Sequence, residues 1–122
     1  MDSRDIIKNI GEKYNLQSIG IFGSRSRCDY REDSDYDIFV IGDLTLEEEL
    51  KLESELENLL KSSVDLIKIS ENTDKLLLKN IVNDAEVIYN KNNSFEKIYK
   101  FIEIFFIENS DFIRIREADL ID

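Results

Sequence analysis

The chain has 122 residues, of which 42% are hydrophobic and 35% charged, with a formal net charge of −11 and no histidine. This length and composition predict one folded, soluble domain with a modest core. The lack of histidine excludes Ser-His-Asp and Cys-His nucleophilic sites and the usual histidine-containing zinc sites, so carboxylates must carry any acid-base chemistry. The negative charge argues against broad nucleic-acid binding, because phosphate backbones would be repelled.

Few features of the sequence indicate the cellular compartment. No apolar run approaches the roughly 20 residues that a membrane span needs, and the start of the chain, M-D-S-R-D, does not resemble a signal peptide. The single cysteine, Cys28, cannot form an internal disulfide, which fits a reducing compartment. We therefore expect a cytoplasmic protein that makes no membrane contact.

The first half of the chain alternates helix and strand. Ile6, Ile7 and Ile10 at helical spacing predict a helix over residues 5–14. Residues 17–22 predict a strand that is apolar enough to be central in a sheet. This strand stops at Gly23-Ser24, where a short helix is expected, and a second strand runs from residue 35 to residue 41.

The second half begins with a strongly predicted helix over residues 43–61, where Thr45 and Glu48 form a capping box. Its many glutamates are interpreted as a solvated face, with a docking surface for a basic partner as the alternative. A strand over 63–69, a helix over 72–83 and a short strand over 86–89 follow.

Residues 94–109 are apolar almost all the way round a helix, so one packing face cannot hide them. We expect a helix that packs on the domain and presents its other face to a partner or a second copy, as a homodimer or hetero-oligomer formed through residues 94–115. The alternative is a β-rich or wrapped segment. The chain is thus predicted to be one domain with a core at 1–90 and a C-terminal helical extension at 94–122.

The carboxylates Asp35 and Asp37 are the first candidates for chemistry. Successive side chains of a strand point to opposite faces, so these two project the same way and can share a cation. Their hard oxygen ligands suit Mg²⁺, which commonly completes its shell with water and substrate phosphates. Gly23 and Ser24 can supply a sharp bend and outward amides for those phosphates.

Asp65 is the third candidate. A lone charge inside the apolar run S-V-D-L-I-K-I is costly unless it is paired or coordinated. If its strand lies beside the strand of Asp35 and Asp37, the three carboxylates complete a trio. The alternative is that Asp65 sits at an exposed strand start.

These residues carry a family resemblance. Gly23-Ser24, ten intervening residues and Asp35-x-Asp37 resemble the signature of the nucleotidyltransferase superfamily related to DNA polymerase beta. The run G-S-R-S-R-C-D-x-R-E-D-S-D-Y-D-I is most similar to its minimal nucleotidyltransferase (MNT) branch, and Asp65 followed by Leu matches the third carboxylate of that branch. One departure is Cys28, which stands where the branch usually has glycine.

The resemblance implies an α/β (α+β) nucleotidyltransferase fold, with a small mixed sheet of about four strands flanked by helices. It implies transfer of AMP from ATP with two Mg²⁺ ions, held by Asp35, Asp37 and Asp65. Gly23 and Ser24 would hold the triphosphate, and among the nearby arginines the resemblance favours Arg25 or Arg27 as phosphate contacts, with a solvated face as the alternative. The implied acceptor is a tyrosine on a HEPN toxin, usually an RNase, for which the chain would be the antitoxin.

Two other functions remain open at this stage. The chain can be a binding antitoxin that neutralises its partner by occlusion, with a vestigial nucleotide site. It can also be a small-molecule adenylyltransferase, such as one that modifies an aminoglycoside. The latter ranks last, because such enzymes usually need a further domain for the acceptor pocket.

Overall fold

A computed structural model describes residues 2–23 and 35–109. Every helix and strand predicted within these ranges is present, with ends that differ from the prediction by three residues at most. The short helix expected after Ser24 lies outside the described residues. No helix in the described part of the chain is long and apolar enough to cross a membrane. In chain order the elements are α1 (Ser3–Lys13), β1 (Ser18–Phe22), β2 (Tyr36–Ile41), α2 (Leu46–Leu60), β3 (Val64–Lys68), α3 (Lys75–Asp84), β4 (Glu86–Asn90) and α4 (Ser94–Glu108).

The four strands form one mixed sheet in the order β3-β2-β1-β4. β1 runs antiparallel to both of its neighbours, whereas β2 and β3 run parallel. A parallel pair needs a crossover connection, and α2 provides it. The predicted central position of β1 and the predicted mixed α/β fold are both confirmed.

Helices cover both faces of the sheet. On one face, α1 and α2 pack around Ile38 and Val40 of β2. On the other face, α3 and α4 pack around Phe39 and Ile41. The side chains of β2 therefore alternate between two apolar clusters, as a strand buried on both faces requires. The alternative of a β-rich or wrapped C-terminal segment is wrong for residues 94–108, which form a helix.

The start of α2 confirms the predicted capping box. The Thr45 hydroxyl accepts a hydrogen bond from the Glu48 backbone amide at 3.2 Å, and the Glu48 carboxylate accepts one from the Thr45 amide at 3.2 Å. Two backbone donors that the first helical turn leaves unpaired are satisfied in this way. The helix ends at Lys61, which adopts a left-handed conformation with φ 54°.

A polar contact ties α1 to α2 at the edge of the first cluster. The Tyr14 hydroxyl donates a hydrogen bond to Glu55 Oε2 at 2.6 Å, and Lys13 Nζ donates to Glu55 Oε1. Burial, reinforced by the Glu55 carboxylate, raises the pKa of Tyr14 to about 12. The hydrogen bond from Lys13, followed by that from Tyr14, holds the pKa of Glu55 below its ordinary value.

The lowered pKa of Glu55 predicts how stability depends on pH. The ionised carboxylate stabilises the fold above its ordinary pKa, and this contribution is lost as the pH falls through the lower folded pKa. We expect Glu55→Gln to lower the free energy of unfolding by on the order of 1 kcal/mol near pH 7 and by much less near pH 3. Urea unfolding at both pH values measures this, with Glu53→Gln on the same helix as control. An equal loss at both pH values would contradict the assignment.

Candidate active site

The parallel pair of strands brings two of the predicted carboxylates together. Asp37 of β2 is aligned with Asp65 of β3. Aligned residues of neighbouring strands project to the same face of a sheet, and here this is the face covered by α3 and α4. Asp37 is half-buried and Asp65 is exposed. Two carboxylates therefore stand side by side where β2 and β3 begin.

Asp35 lies one residue before β2 and is exposed. Its position two residues ahead of Asp37 puts it next to this pair along the chain. Among the described residues no group of three acidic, thiol or imidazole side chains is close enough to hold a metal ion. The described geometry is thus an aligned carboxylate pair with Asp35 at its border, and the role of the trio stays a prediction.

The burial cost that the apolar run predicts for Asp65 is absent. Its side chain is exposed at the second residue of β3, as the alternative of an exposed strand start predicts. No burial penalty arises for such a carboxylate. The strand register, and not burial, is what associates Asp65 with Asp37.

Gly23 lies next to the Asp37 carboxylate on the side of β1, opposite to Asp65. The last residue of β1, Phe22, is aligned with Asp37, and the chain then turns at Gly23 with φ +74°. A Cβ atom on Gly23 would overlap Oδ2 of Asp37 and would lie 3.3 Å from its Cγ. The sequence indicated Gly23 as a phosphate-binding bend, but gave no sign of this contact, which depends on the pairing of β1 with β2.

Apolar residues fill the same face of the sheet one step behind the carboxylates. Phe39, two residues after Asp37, is fully buried. A Cβ atom on Gly20 would approach its ring to 2.6 Å, so only glycine leaves room for that ring. Ile67, two residues after Asp65, packs against the same cluster. The carboxylates therefore stand at the border of a densely packed layer.

The remaining predicted ligands lie outside the described residues. They are Ser24, Arg25 and Arg27. Cys28, which is not a predicted ligand but stands where the resembled branch usually has glycine, lies outside them as well. The proposed roles of Ser24 and of the two arginines in phosphate binding stay predictions.

Comparison with known proteins identifies the class. A family model described as polymerase beta, nucleotidyltransferase matches residues 5–94. The chain therefore belongs to this nucleotidyltransferase family, as its glycine-serine and aspartate spacing predicted. The match includes most of α1, all four strands and the aligned Asp37 and Asp65.

Two curated relatives come from Methanocaldococcus jannaschii. The chain is 37% identical over 79 residues to "Putative protein adenylyltransferase MJ0126", a match that covers 63% of this chain and 81% of that protein. It is also 37% identical over 79 residues to "Putative protein adenylyltransferase MJ1217", with the same coverage. The sequence likeness thus includes most of each relative.

Solved structures share the fold at lower identity. A structure described as a toxin-antitoxin with AMP-PNP has a TM-score of 0.77 and 22% identity, covering 98% of this chain and 99% of that chain. The MNT antitoxin in complex with a tri-AMPylated HEPN toxin of Shewanella oneidensis has a TM-score of 0.71 and 21% identity, covering 97% and 96%. A "putative minimal nucleotidyltransferase" has a TM-score of 0.57 and 28% identity, covering 70% and 95%. The predicted nucleotidyltransferase fold is confirmed.

The alignment of Asp37 with Asp65 predicts a stability effect. Like charges directly opposite each other on neighbouring strands destabilise a sheet. We expect Asp65→Asn to leave the melting temperature unchanged or to raise it by about 1–5 °C in metal-free buffer. Asp74→Ala is the comparison, because Asp74 caps α3 by accepting a hydrogen bond from the Leu77 amide and should lower the melting temperature. A clear fall for Asp65→Asn would instead assign it a structural role.

Proposed function

We propose that the chain transfers AMP from ATP to a tyrosine hydroxyl of a HEPN-type RNase toxin in a Mg²⁺-dependent reaction, and so acts as its antitoxin. The observation that carries the proposal is the side-by-side alignment of Asp37 with Asp65, next to the bend at Gly23. Membership of the nucleotidyltransferase family supports it. So do the adenylyltransferase names of the relatives and the likeness to an antitoxin bound to a tri-AMPylated HEPN toxin.

The available ligands suit magnesium. Asp37 and Asp65 offer hard carboxylate oxygens on adjacent strands, and Asp35 adds a third carboxylate at the same border. Asp65 is exposed, so water and phosphate oxygens could reach a cation held there. Bound Mg²⁺ would neutralise charge on the phosphates and lower the pKa of the acceptor hydroxyl. In our proposal Asp35 and Asp37 would hold two Mg²⁺ ions, and Asp65 would be a further ligand of one of them.

The chain's own residues have different roles in the proposed transfer. Asp65 is the base, because its exposed carboxylate is open to an incoming hydroxyl and can take its proton. The acceptor oxygen forms a bond to the α-phosphorus, the bond from that phosphorus to the bridging oxygen breaks, and pyrophosphate leaves. Gly23 and Ser24 hold the triphosphate, and Arg25 or Arg27 contacts its oxygens. Asp37 lies beside Gly23, which has no side chain and so leaves space for the Asp37 carboxylate.

Labelling tests the proposed transfer. The chain is incubated with α-labelled ATP, Mg²⁺ and the product of the neighbouring gene, and label is followed onto that product. We expect labelling by the natural chain and a loss of at least about 1000-fold in the Asp35→Ala/Asp37→Ala variant, because in-line displacement loses its charge neutralisation.

Asp43→Ala is the matched control for this experiment. Asp43 is also an exposed aspartate, but it follows the opposite end of β2. We expect full labelling by the Asp43→Ala variant. No label with the natural chain, or label that survives the double substitution, would contradict catalysis by these carboxylates.

Neutralisation by occlusion is the second candidate, and the surface of α4 favours it. Tyr99, Ile104 and Ile107 are 44%, 43% and 69% exposed and leave apolar surface on α4. Next to them lies a cleft of about 460 Å³ between α3 and α4, with Val82 and Ile102 in its lining. A partner docked there would bury these side chains, as was predicted for residues 94–115.

Lysine side chains of α3 lie over aromatic rings of α4. Lys79 Nζ lies 4.4 Å from the ring centre of Phe106, and Lys75 Nζ lies 5.4 Å from that of Phe101. These contacts cover ring faces with cationic side chains. The apolar groups that stay available to a partner are therefore concentrated at Tyr99, Ile104 and Ile107.

Two exposed apolar residues allow a matched test of the α4 surface. Ile107 is 69% exposed on α4 and Leu46 is 71% exposed on α2. If α4 is the docking surface, Ile107→Asp should weaken association with the toxin by at least about tenfold, whereas Leu46→Asp should change it by less than about twofold. Titration calorimetry measures the affinity and sedimentation gives the stoichiometry. Equal effects of the two substitutions, or an effect of Leu46→Asp alone, would place the interface elsewhere.

A further inference from the structure

We propose that Gly23 is a positioning residue for Asp37: the missing side chain at Gly23 sets the orientation of the Asp37 carboxylate. Gly23 would then act on the proposed metal site through Asp37, apart from any contact with the nucleotide. The role of the metal rests on the proposed function, whereas the contact between the two residues does not. A change in the bend after β1 would therefore also change the orientation of the Asp37 carboxylate on β2.

Strand pairing creates this contact. Phe22 is the last residue of β1 and is aligned with Asp37 across the antiparallel pair. One residue later the chain takes a left-handed turn at Gly23, with φ +74°. A Cβ atom there would overlap Oδ2 of Asp37, and it would lie 3.3 Å from Cγ and 3.5 Å from Cβ of the same side chain. The carboxylate occupies the space that any other residue at position 23 would need.

Gly23 differs in this from the other three glycines of the chain. A Cβ atom at Gly11 would meet Ile19 and Tyr89, one at Gly20 would meet the Glu86 carbonyl and the Phe39 ring, and one at Gly42 would meet Leu16. Among the four glycines Gly23 alone faces a carboxylate, and it alone has a positive φ. Position 23 therefore meets two separate requirements, a left-handed backbone and space for a carboxylate.

Neighbouring side chains limit the space around Asp37. Within residues 2–23 and 35–109, its neighbours on the same face of the sheet are Phe22 on β1, Phe39 further along β2 and Asp65 on β3. A side chain at position 23 would turn the carboxylate away from β1, towards the like charge of Asp65. The oxygens that both aspartates present to a shared cation would then be rearranged.

Binding of Mn²⁺ alone, without nucleotide, tests the proposal. Mn²⁺ takes the same oxygen ligands as Mg²⁺ and is measured directly by electron paramagnetic resonance. We expect Gly23→Ala to weaken Mn²⁺ binding by at least about tenfold, the range found when a group that orients a metal ligand is lost. Gly42→Ala also adds a methyl group at a glycine, but far from the carboxylates, and should change Mn²⁺ binding by less than about twofold.

The Gly23→Asn substitution distinguishes the effect of the added Cβ atom on Mn²⁺ binding from the effect of backbone strain. Asparagine tolerates a positive φ much better than alanine but has the same Cβ atom. If the Cβ atom displaces the carboxylate, both substitutions weaken Mn²⁺ binding alike. If strain alone matters, Gly23→Asn binds Mn²⁺ as the natural chain does, and the proposal is overturned. The asparagine variant also provides the measurement if Gly23→Ala fails to fold.

A double-substitution cycle gives a readout that needs neither metal nor activity. Asp37→Ala removes the carboxylate and frees the space beside position 23. We expect Gly23→Asn to lower the melting temperature of the natural chain, and at least about half of this loss to disappear in the Asp37→Ala background. Additive losses would overturn the proposal. Absence of AMP transfer with an intact coupling would refute the proposed function alone.

Discussion

The register between β2 and β3 is the constraint on which the candidate site depends. A shift of one residue in strand pairing moves every side chain to the opposite face. Asp65 would then point towards α1 and α2, where it would meet the apolar cluster around Ile38. The observed register is held at its start by the Tyr36 amide, which donates a hydrogen bond to the Ser63 carbonyl at 2.9 Å. Packing also favours it, because Val64 faces one cluster and Ile67 the other.

Much of this architecture could be predicted from the sequence, because the signals are local. The capping box of Thr45 and Glu48 marks the start of α2, and apolar runs of strand length mark β1 and β2. The spacing of Gly23-Ser24 and Asp35-x-Asp37 was enough to indicate the nucleotidyltransferase family. Each of these features lies within a short stretch of the chain, the longest of which is 23–37, so it can be recognised in a single sequence.

Non-local contacts could not be predicted in this way. The sequence associates Asp65 with Asp37 through the family resemblance and on the condition that their strands are neighbours, whereas the parallel register shows that the two residues are aligned. The burial cost expected for Asp65 is absent, because its side chain is exposed. The contact of Gly23 with Asp37 likewise follows from the antiparallel pairing of β1 and β2. Spacing along the chain says which residues share a face of one strand, but the relative shift of two strands depends on the packing of both clusters.

The candidate site and the exposed surface of α4 lie on one side of the sheet. Asp37 and Asp65 have the same strand alternation as Phe39 and Ile67, which pack under α3 and α4. A protein docked on α4 would therefore approach the face on which the two carboxylates project. Docking and transfer need not be rival functions, because a partner that buries Ile107 is already on the side of the sheet where an acceptor hydroxyl is required. Binding energy from the helix would then help to orient that hydroxyl.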